Sequence, residues 1–144
     1  MPMMSNESDE LTAHAMVFLE MAFRTDRHRP LRHPSGCGSN KGACGDRITM
    51  YVGVEGNRVR DVSFELEGCL NTNACANAVA QIVEGHELET AWQLTPAMVA
   101  DYLQSLAPNH LHCAELAVGA FFKALADFQR SGGKEWKNLY RRVE

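Results

Sequence analysis

A chain of 144 residues, 45% hydrophobic and 22% charged, is of ordinary globular composition and long enough to bury one core. A formal net charge of -4 argues against a nucleic-acid partner, which would call for a basic face, and the basic residues in "GGKEWKNLYRRVE" are a local patch that suits a protein partner better than DNA. No apolar run approaches the roughly 18 residues of a membrane span, and "MPMMSNESDE" lacks the basic-then-apolar order of a signal peptide. A cytoplasmic location is therefore expected, with reduced cysteines, and five cysteines are an odd number that excludes a complete disulfide framework.

Residues 1–10 are expected to be disordered. "LTAHAMVFLEMAFR" (11–24) places Leu11, Ala15, Phe18 and Ala22 at helical spacing, with Met16, Leu19 and Phe23 widening the stripe. The Pro-, Gly- and Ser-rich run from Thr25 to Asp46 reads as a long loop, of a length that is usually functional or disordered. Period-two alternation follows. Ile48, Met50, Val52 and Val54 alternate with Arg47, Thr49 and Tyr51; after the turn "EGN", Val62, Phe64 and Leu66 alternate with Ser63, Glu65 and Glu67. This predicts an antiparallel hairpin with one wet face, and Val59, out of phase with Val62, predicts a bulge or an irregular strand start. "NACANAVAQIVEG" reads as a helix closed by Gly85. "LTPAMVADYLQSL" has Thr95 at N-cap and Pro96 at the first helical position, and is stopped by Pro108. A last helix over 113–130 carries Leu116, Ala120, Ala124 and Phe128, with Ala117, Phe121 and Leu125 beside them. The order is α+β, a small antiparallel sheet against several helices.

Four cysteines lie in loops or at element junctions: Cys37, Cys44, Cys69 and Cys113. Cys75, on one stripe with Val79 and Ile82, reads as a small buried hydrophobe. Thiolates are soft ligands for zinc and for iron–sulfur clusters. Cys113, at the start of the last helix, is expected to have its thiolate favoured there. His112 offers a borderline nitrogen ligand and Asp46 a hard oxygen. No pair has CxxC spacing, so neither a zinc ribbon nor a thioredoxin-type site is indicated, and the zinc deaminase pattern is missing. On spacing alone, a distributed Cys/His/Asp metal site and a set of unconnected thiols stand equal.

"GACGD" (42–46), "EGCLNTNACANAVAQIVEG" (67–85) and "HCAELAVGAFFKAL" (112–125) together resemble, in order, three blocks of the IscU/NifU N-terminal family, scaffolds on which iron–sulfur clusters are assembled. The resemblance covers roughly residues 11–130, with a basic tail at 131–144 that could extend as helix. It implies that Cys44, Cys69 and Cys113 hold the cluster, that Asp46 sits at the cluster and keeps it labile, and that His112 is an alternative ligand. It further implies a cysteine desulfurase that delivers sulfur to a scaffold cysteine, here Cys113, with iron and electron donors completing a transient [2Fe–2S] cluster that passes to acceptor apo-proteins. Zinc is expected when the site is empty of cluster. The implied role is a platform rather than a turnover enzyme.

Three departures from the family pattern bear on these expectations. Leu70 stands where the family usually has glycine after the second cysteine, which is expected to restrict the turn there. "LAPNH" (106–110) keeps only Leu106 and Pro108 of the LPPVK stretch read by a dedicated heat-shock-type chaperone, so that partner is not expected, and His110 replaces the lysine. The 44 positions from Cys69 to Cys113 leave no room for the insertion of SufU-type relatives, zinc-binding sulfur acceptors, which makes that role the alternative. Cys37 is extra to the pattern and reads as a spare thiol in the loop or as an added ligand or sulfur carrier near Cys44. With the sequence stopping soon after the last helix, the further cluster domains of full-length nitrogen-fixation scaffolds are not expected.

Overall fold

The computed structural model describes residues 16–43, 45–104 and 106–143, with side chains described as far as residue 130. The expected disorder of 1–10, and the part of the first helix before residue 16, lie outside the described residues. A helix α1 runs over 16–23. Three strands follow, β1 (Gly36–Lys41), β2 (Arg47–Glu55) and β3 (Arg58–Glu67), paired antiparallel in the order β1-β2-β3. Then come α2 (Leu70–Val83), the single turn α3 (Leu88–Ala91), α4 (Pro96–Leu103), a 3-10 turn at Pro108–His110 and α5 (Leu111–Val143). The α+β expectation holds, with one strand more than the hairpin read from the sequence.

That extra strand corrects the loop expected over 25–46. Its composition is loop-like because its inward positions are glycines. A Cβ on Gly36 would lie 2.2 Å from the Ala124 carbonyl oxygen, and one on Gly38 would lie 2.3 Å from the Ala124 nitrogen. Here α5 packs its backbone directly on β1, and only glycine leaves room for that. Asn40 continues the contact: its Nδ2 donates to the Leu116 carbonyl at 3.2 Å, and its Oδ1 accepts from Lys123 Nζ at 3.0 Å. The free edge of β1 is tied as well, since the Cys37 amide donates to Asp127 Oδ2 at 3.0 Å.

β2 and β3 form the predicted hairpin around Gly56, whose φ of +64° suits the tight turn. The register slips at Gly53/Val54, where Gly53 pairs with Asp61 and Val54 with Val59, leaving Arg60 as the extra residue of a bulge. This is the irregularity that the phase of Val59 foretold. Ile48, Met50, Val52, Val62 and Phe64 face inward and are buried against α2 and α5, joined by Val79, Val83, Phe121 and Leu125. Each such side chain contributes roughly 1.5–3 kcal/mol through burial.

α4 begins as expected, with Thr95 Oγ1 accepting from the Met98 amide at 3.1 Å and Pro96 in the first turn. It ends earlier than expected, at Leu103, because Gln104 takes a left-handed conformation at φ 60°; Pro108 instead begins the 3-10 turn. α2 starts three residues before the expected "NACAN" and is followed by Gly85 at φ +85°. Two asparagines inside α2 hold α1 in place. Asn73 Nδ2 donates to the Ala22 and Arg24 carbonyls at 2.8 and 3.0 Å, and Asn77 Nδ2 to Met21 and Arg24 at 2.8 and 3.0 Å. They thereby satisfy carbonyls that the end of α1 leaves open.

The segment between α1 and β1 is anchored by Arg27. Its guanidinium forms a two-pronged ion pair with Glu84, at 2.5 and 2.8 Å, and donates to the Val62 carbonyl at 3.1 Å. The Phe64 amide donates to the Arg27 carbonyl at 2.9 Å, so this segment also covers the outer edge of β3.

The glycine contact gives a graded test. Gly38→Ala must push two backbones apart and is expected to cost about 1–3 kcal/mol or more in urea unfolding. Gly56→Ala, with open space around it and only a left-handed φ to tolerate, is expected to cost about 1–2 kcal/mol. Equal midpoints for parent and Gly38→Ala would contradict the backbone contact.

Candidate metal and sulfur site

Three separate elements bring the site together. The β1–β2 turn is closed by Gly42 N–H donating to the Asp46 carbonyl at 2.8 Å, with Gly45 at φ +96°, and it presents Asp46 just before β2 begins. β3 ends at Glu67, and Gly68 leads into Cys69, the N-cap residue of α2. The 3-10 turn delivers the chain to α5, whose third residue is Cys113, 1% exposed. A carboxylate oxygen of Asp46 and the sulfurs of Cys69 and Cys113 all lie within 4.8 Å of one another. Tetrahedral zinc with metal–sulfur bonds of ~2.3 Å holds its sulfurs about 3.8 Å apart, so small side-chain rotations complete such a site.

At its centre is a residue the sequence reading passed over. Thr72 is fully buried, and its hydroxyl donates to Asp46 Oδ2 at 2.6 Å. Thr72 Oγ1 itself lies 3.6 Å from Cys69 Sγ and 3.8 Å from Cys113 Sγ. Gly68 makes room for this, since a Cβ there would come within 2.9 Å of Thr72 Oγ1 and 3.1 Å of Asp46 Oδ2. The available signal was positional: Thr72 is the third residue of the helix that Cys69 caps, so its side chain returns to the cap.

Burial alone would push the Cys69 thiol up. That effect is outweighed by the Thr72 hydroxyl, by the first-turn amides of Thr72 and Asn71, and by the Asn71 side chain, so the thiol lies below its ordinary value. Helix-start electrostatics therefore act on Cys69, which is exposed while Cys113 is buried. Leu70 imposes no constraint. It is the first residue of α2, in a position that needs no left-handed backbone, and its side chain is 48% exposed.

His112 is exposed, with Nε2 3.6 Å from Cys113 Sγ. His110, read from the sequence as a partner-facing difference, lies in a second triad: the ligand atoms of His110, His112 and Cys113 are also within 4.8 Å of one another. Cys44 lies outside the described residues. Cys75 is fully buried in α2, and burial first, then the neighbouring Cys113 and Cys69, push its thiol far up, as suits a core residue. Cys37 lies in β1 opposite Tyr51, on the face turned away from α5; burial and then Asp127 and Glu65 raise its thiol. It is a strand residue rather than a loop thiol, and it does not join either triad.

Two thiols, a carboxylate and two imidazoles form a mixed soft and hard donor set, suited to zinc or to iron with sulfide. The buried His110 Nδ1, which has no hydrogen-bond partner among the described residues, fits a metal-binding role. No helix of the described residues is long and apolar enough to cross a membrane.

Residues 24–135 match the family described as NifU-like N terminal domain. The "Iron-sulfur cluster assembly scaffold protein IscU 1" of Archaeoglobus fulgidus is 34% identical over 91 residues, which span 63% of this chain and 60% of that relative. The "Iron-sulfur cluster assembly scaffold protein IscU" of Haemophilus influenzae is 32% identical over 92 residues, 63% of this chain and 72% of the relative. Among solved structures, the putative SUF-system assembly scaffold of Fervidobacterium islandicum superposes with a TM-score of 0.64 at 17% identity, covering 76% of this chain and 93% of the other. The NifU-like N-terminal protein of Brucella abortus gives 0.63 at 18%, covering 79% and 92%. At these identities the structures show the fold alone.

The lowered Cys69 thiol and the raised Cys37 thiol set an order of reactivity. The thiolate is the reacting form, so on raising the pH, alkylation by iodoacetamide is expected to begin at Cys69 well before Cys37, as followed by peptide mass spectrometry. Thr72→Val, which removes one hydrogen bond worth about 1 kcal/mol, is expected to slow Cys69 alkylation about fivefold at neutral pH and leave Cys37 unchanged. An unchanged Cys69 rate would remove Thr72 from the account.

Proposed function

Because the chain belongs to the family of NifU-like N-terminal domains, we propose that it is a scaffold on which a [2Fe–2S] cluster is assembled and then passed to acceptor apo-proteins. The observation that carries this reading is the meeting of Asp46, Cys69 and Cys113 from three elements, with a carboxylate among the thiolates. A structural zinc site wants four strong, closed ligands, whereas a scaffold must bind and let go. Asp46 supplies the weaker, harder ligand, and Thr72 holds that carboxylate by one oxygen. Cys44 completes the proposed ligand set, with His112 as an alternative ligand. Zinc occupies the site when no cluster is present, and the protein works in the cytoplasm.

Sulfur arrives from a cysteine desulfurase. A thiolate of this chain, Cys113 in this proposal, attacks the outer sulfur of the enzyme's persulfide. The enzyme's S–S bond breaks, its cysteine thiolate leaves, and Cys113 holds the persulfide. Two such sulfane sulfurs need four electrons to become two sulfides. Two ferrous ions supply two electrons in becoming ferric, and an external electron donor supplies the other two. The burial of Cys113 means that the first turn of α5 opens to admit the donor loop, while His112, exposed beside it, accepts the thiol proton. "LAPNH" in place of a lysine-bearing motif supports a cycle without the dedicated chaperone.

Anaerobic incubation with ferrous iron, a desulfurase, cysteine and a reductant is expected to develop the visible absorption of a [2Fe–2S] cluster, which then moves to an apo-ferredoxin. Retained zinc with no colour would point to the sulfur-acceptor role instead. Cys113→Ser is expected to abolish assembly. Asp46→Ala is expected to assemble the cluster but to release it at least several-fold more slowly, because an exchangeable ligand is lost; transfer as fast as in the parent would sink the lability role of Asp46.

A further inference from the structure

The two triads share one sulfur. Asp46, Cys69 and Cys113 form one group and His110, His112 and Cys113 another, each with its ligand atoms within 4.8 Å of one another. The second set has features that packing does not explain. The His110 and His112 rings are 6.0 Å apart by centroid and tilted 37° to each other, so they are not stacked face to face. His110 Nδ1 is buried and has no hydrogen-bond partner among the described residues, an arrangement that is unfavourable unless a further group engages it. His112 Nε2 lies 3.6 Å from the shared sulfur, close to the separation of two ligands on one metal. The 3-10 turn at Pro108–His110 is the device that brings residue 110 back beside residues 112 and 113: its His110 amide donates to the Ala107 carbonyl at 2.8 Å, closing the turn.

We infer that His110, His112 and Cys113 form a second position for a divalent cation of borderline softness, such as ferrous iron, cobalt or zinc, next to the position of Asp46 and Cys69 and sharing the Cys113 sulfur with it. Two imidazoles and one thiolate suit such ions, and a thiolate can bridge two of them. On binding, the Cys113 thiol gives its proton to solvent. The inference goes beyond the scaffold reading and does not depend on it: it concerns how many metal ions the chain holds, whatever becomes of them.

The test is an anaerobic cobalt(II) titration of the full chain, read by the thiolate-to-cobalt charge-transfer and d–d bands and by metal analysis after gel filtration, with no sulfide or desulfurase present. The parent is expected to bind two equivalents, the second adding imidazole-bound character to the d–d region. His110→Ala is expected to bind one equivalent and keep the charge-transfer intensity of the first. Cys69→Ser is expected to weaken the first equivalent at least tenfold and to retain the one that depends on His110. Far-UV circular dichroism and a second variant, His110→Gln, separate ligand loss from misfolding. A single equivalent in the parent overturns the inference, and so does a second equivalent that survives both His110 variants. Failure of the scaffold reading would appear elsewhere, as an absence of colour and transfer in the assembly reaction, with these stoichiometries unchanged.

Discussion

The contact of α5 on β1 through Gly36 and Gly38 governs the rest of the molecule. The two elements run in opposite directions: Gly36 lies by Ala124 and Phe128, while Asn40, near the strand's end, reaches Leu116 and Gly119. Following β1 forward therefore means following α5 backward, and the turn that ends in Asp46 arrives at the first turn of α5, where Cys113 is. A bulkier strand would hold the helix away by the width of a side-chain layer and move the carboxylate from the sulfur by a similar amount. The site is in this sense built from the absence of side chains some distance from it.

The second requirement is the placement of Cys69 at a helix cap. Caps are ordinarily serine, threonine, aspartate or asparagine, whose oxygens accept from first-turn amides. With sulfur in that place, the amides favour a thiolate instead of fastening the helix, and the stability given up is recovered at the far side of α2. There Asn73 and Asn77 bind the end of α1, and Glu84 binds Arg27. Reactivity at one end of the helix is supported by polar bonds along its length.

Much of this was legible in the sequence, and what was not has physical reasons. The β2–β3 hairpin, its bulge and the N-cap of α4 follow from alternation, phase and turn chemistry, each a local property. β1 was hidden because glycine and serine ordinarily signal loops, and only the distant α5 backbone explains why a strand would use glycine inward. Asp46, Cys69, His112 and Cys113 stood out by residue type and by resemblance, and the fold brings them to one place in two overlapping groups. Thr72 was invisible for the opposite reason: a threonine in a helix is unremarkable until its hydroxyl is found among three ligand atoms. His110 looked like a change of partner because its ring nitrogens acquire neighbours only when the 3-10 turn closes.

The proposed ligands Asp46, Cys69 and Cys113 are separated by 23 and 44 positions along the chain. Anything that joins them closes two loops at once, as a pair of cross-links would. For a covalent bridge, loops of this size correspond to about 3–4 kcal/mol each of lost unfolded-state entropy. In the proposed scaffold, a metal or cluster seated there would therefore also be a staple across the turn at Asp46, the cap at Cys69 and the first turn of α5. On that reading, giving up the cargo would also remove the two loop closures, so that delivery and loss of the staple would be one event.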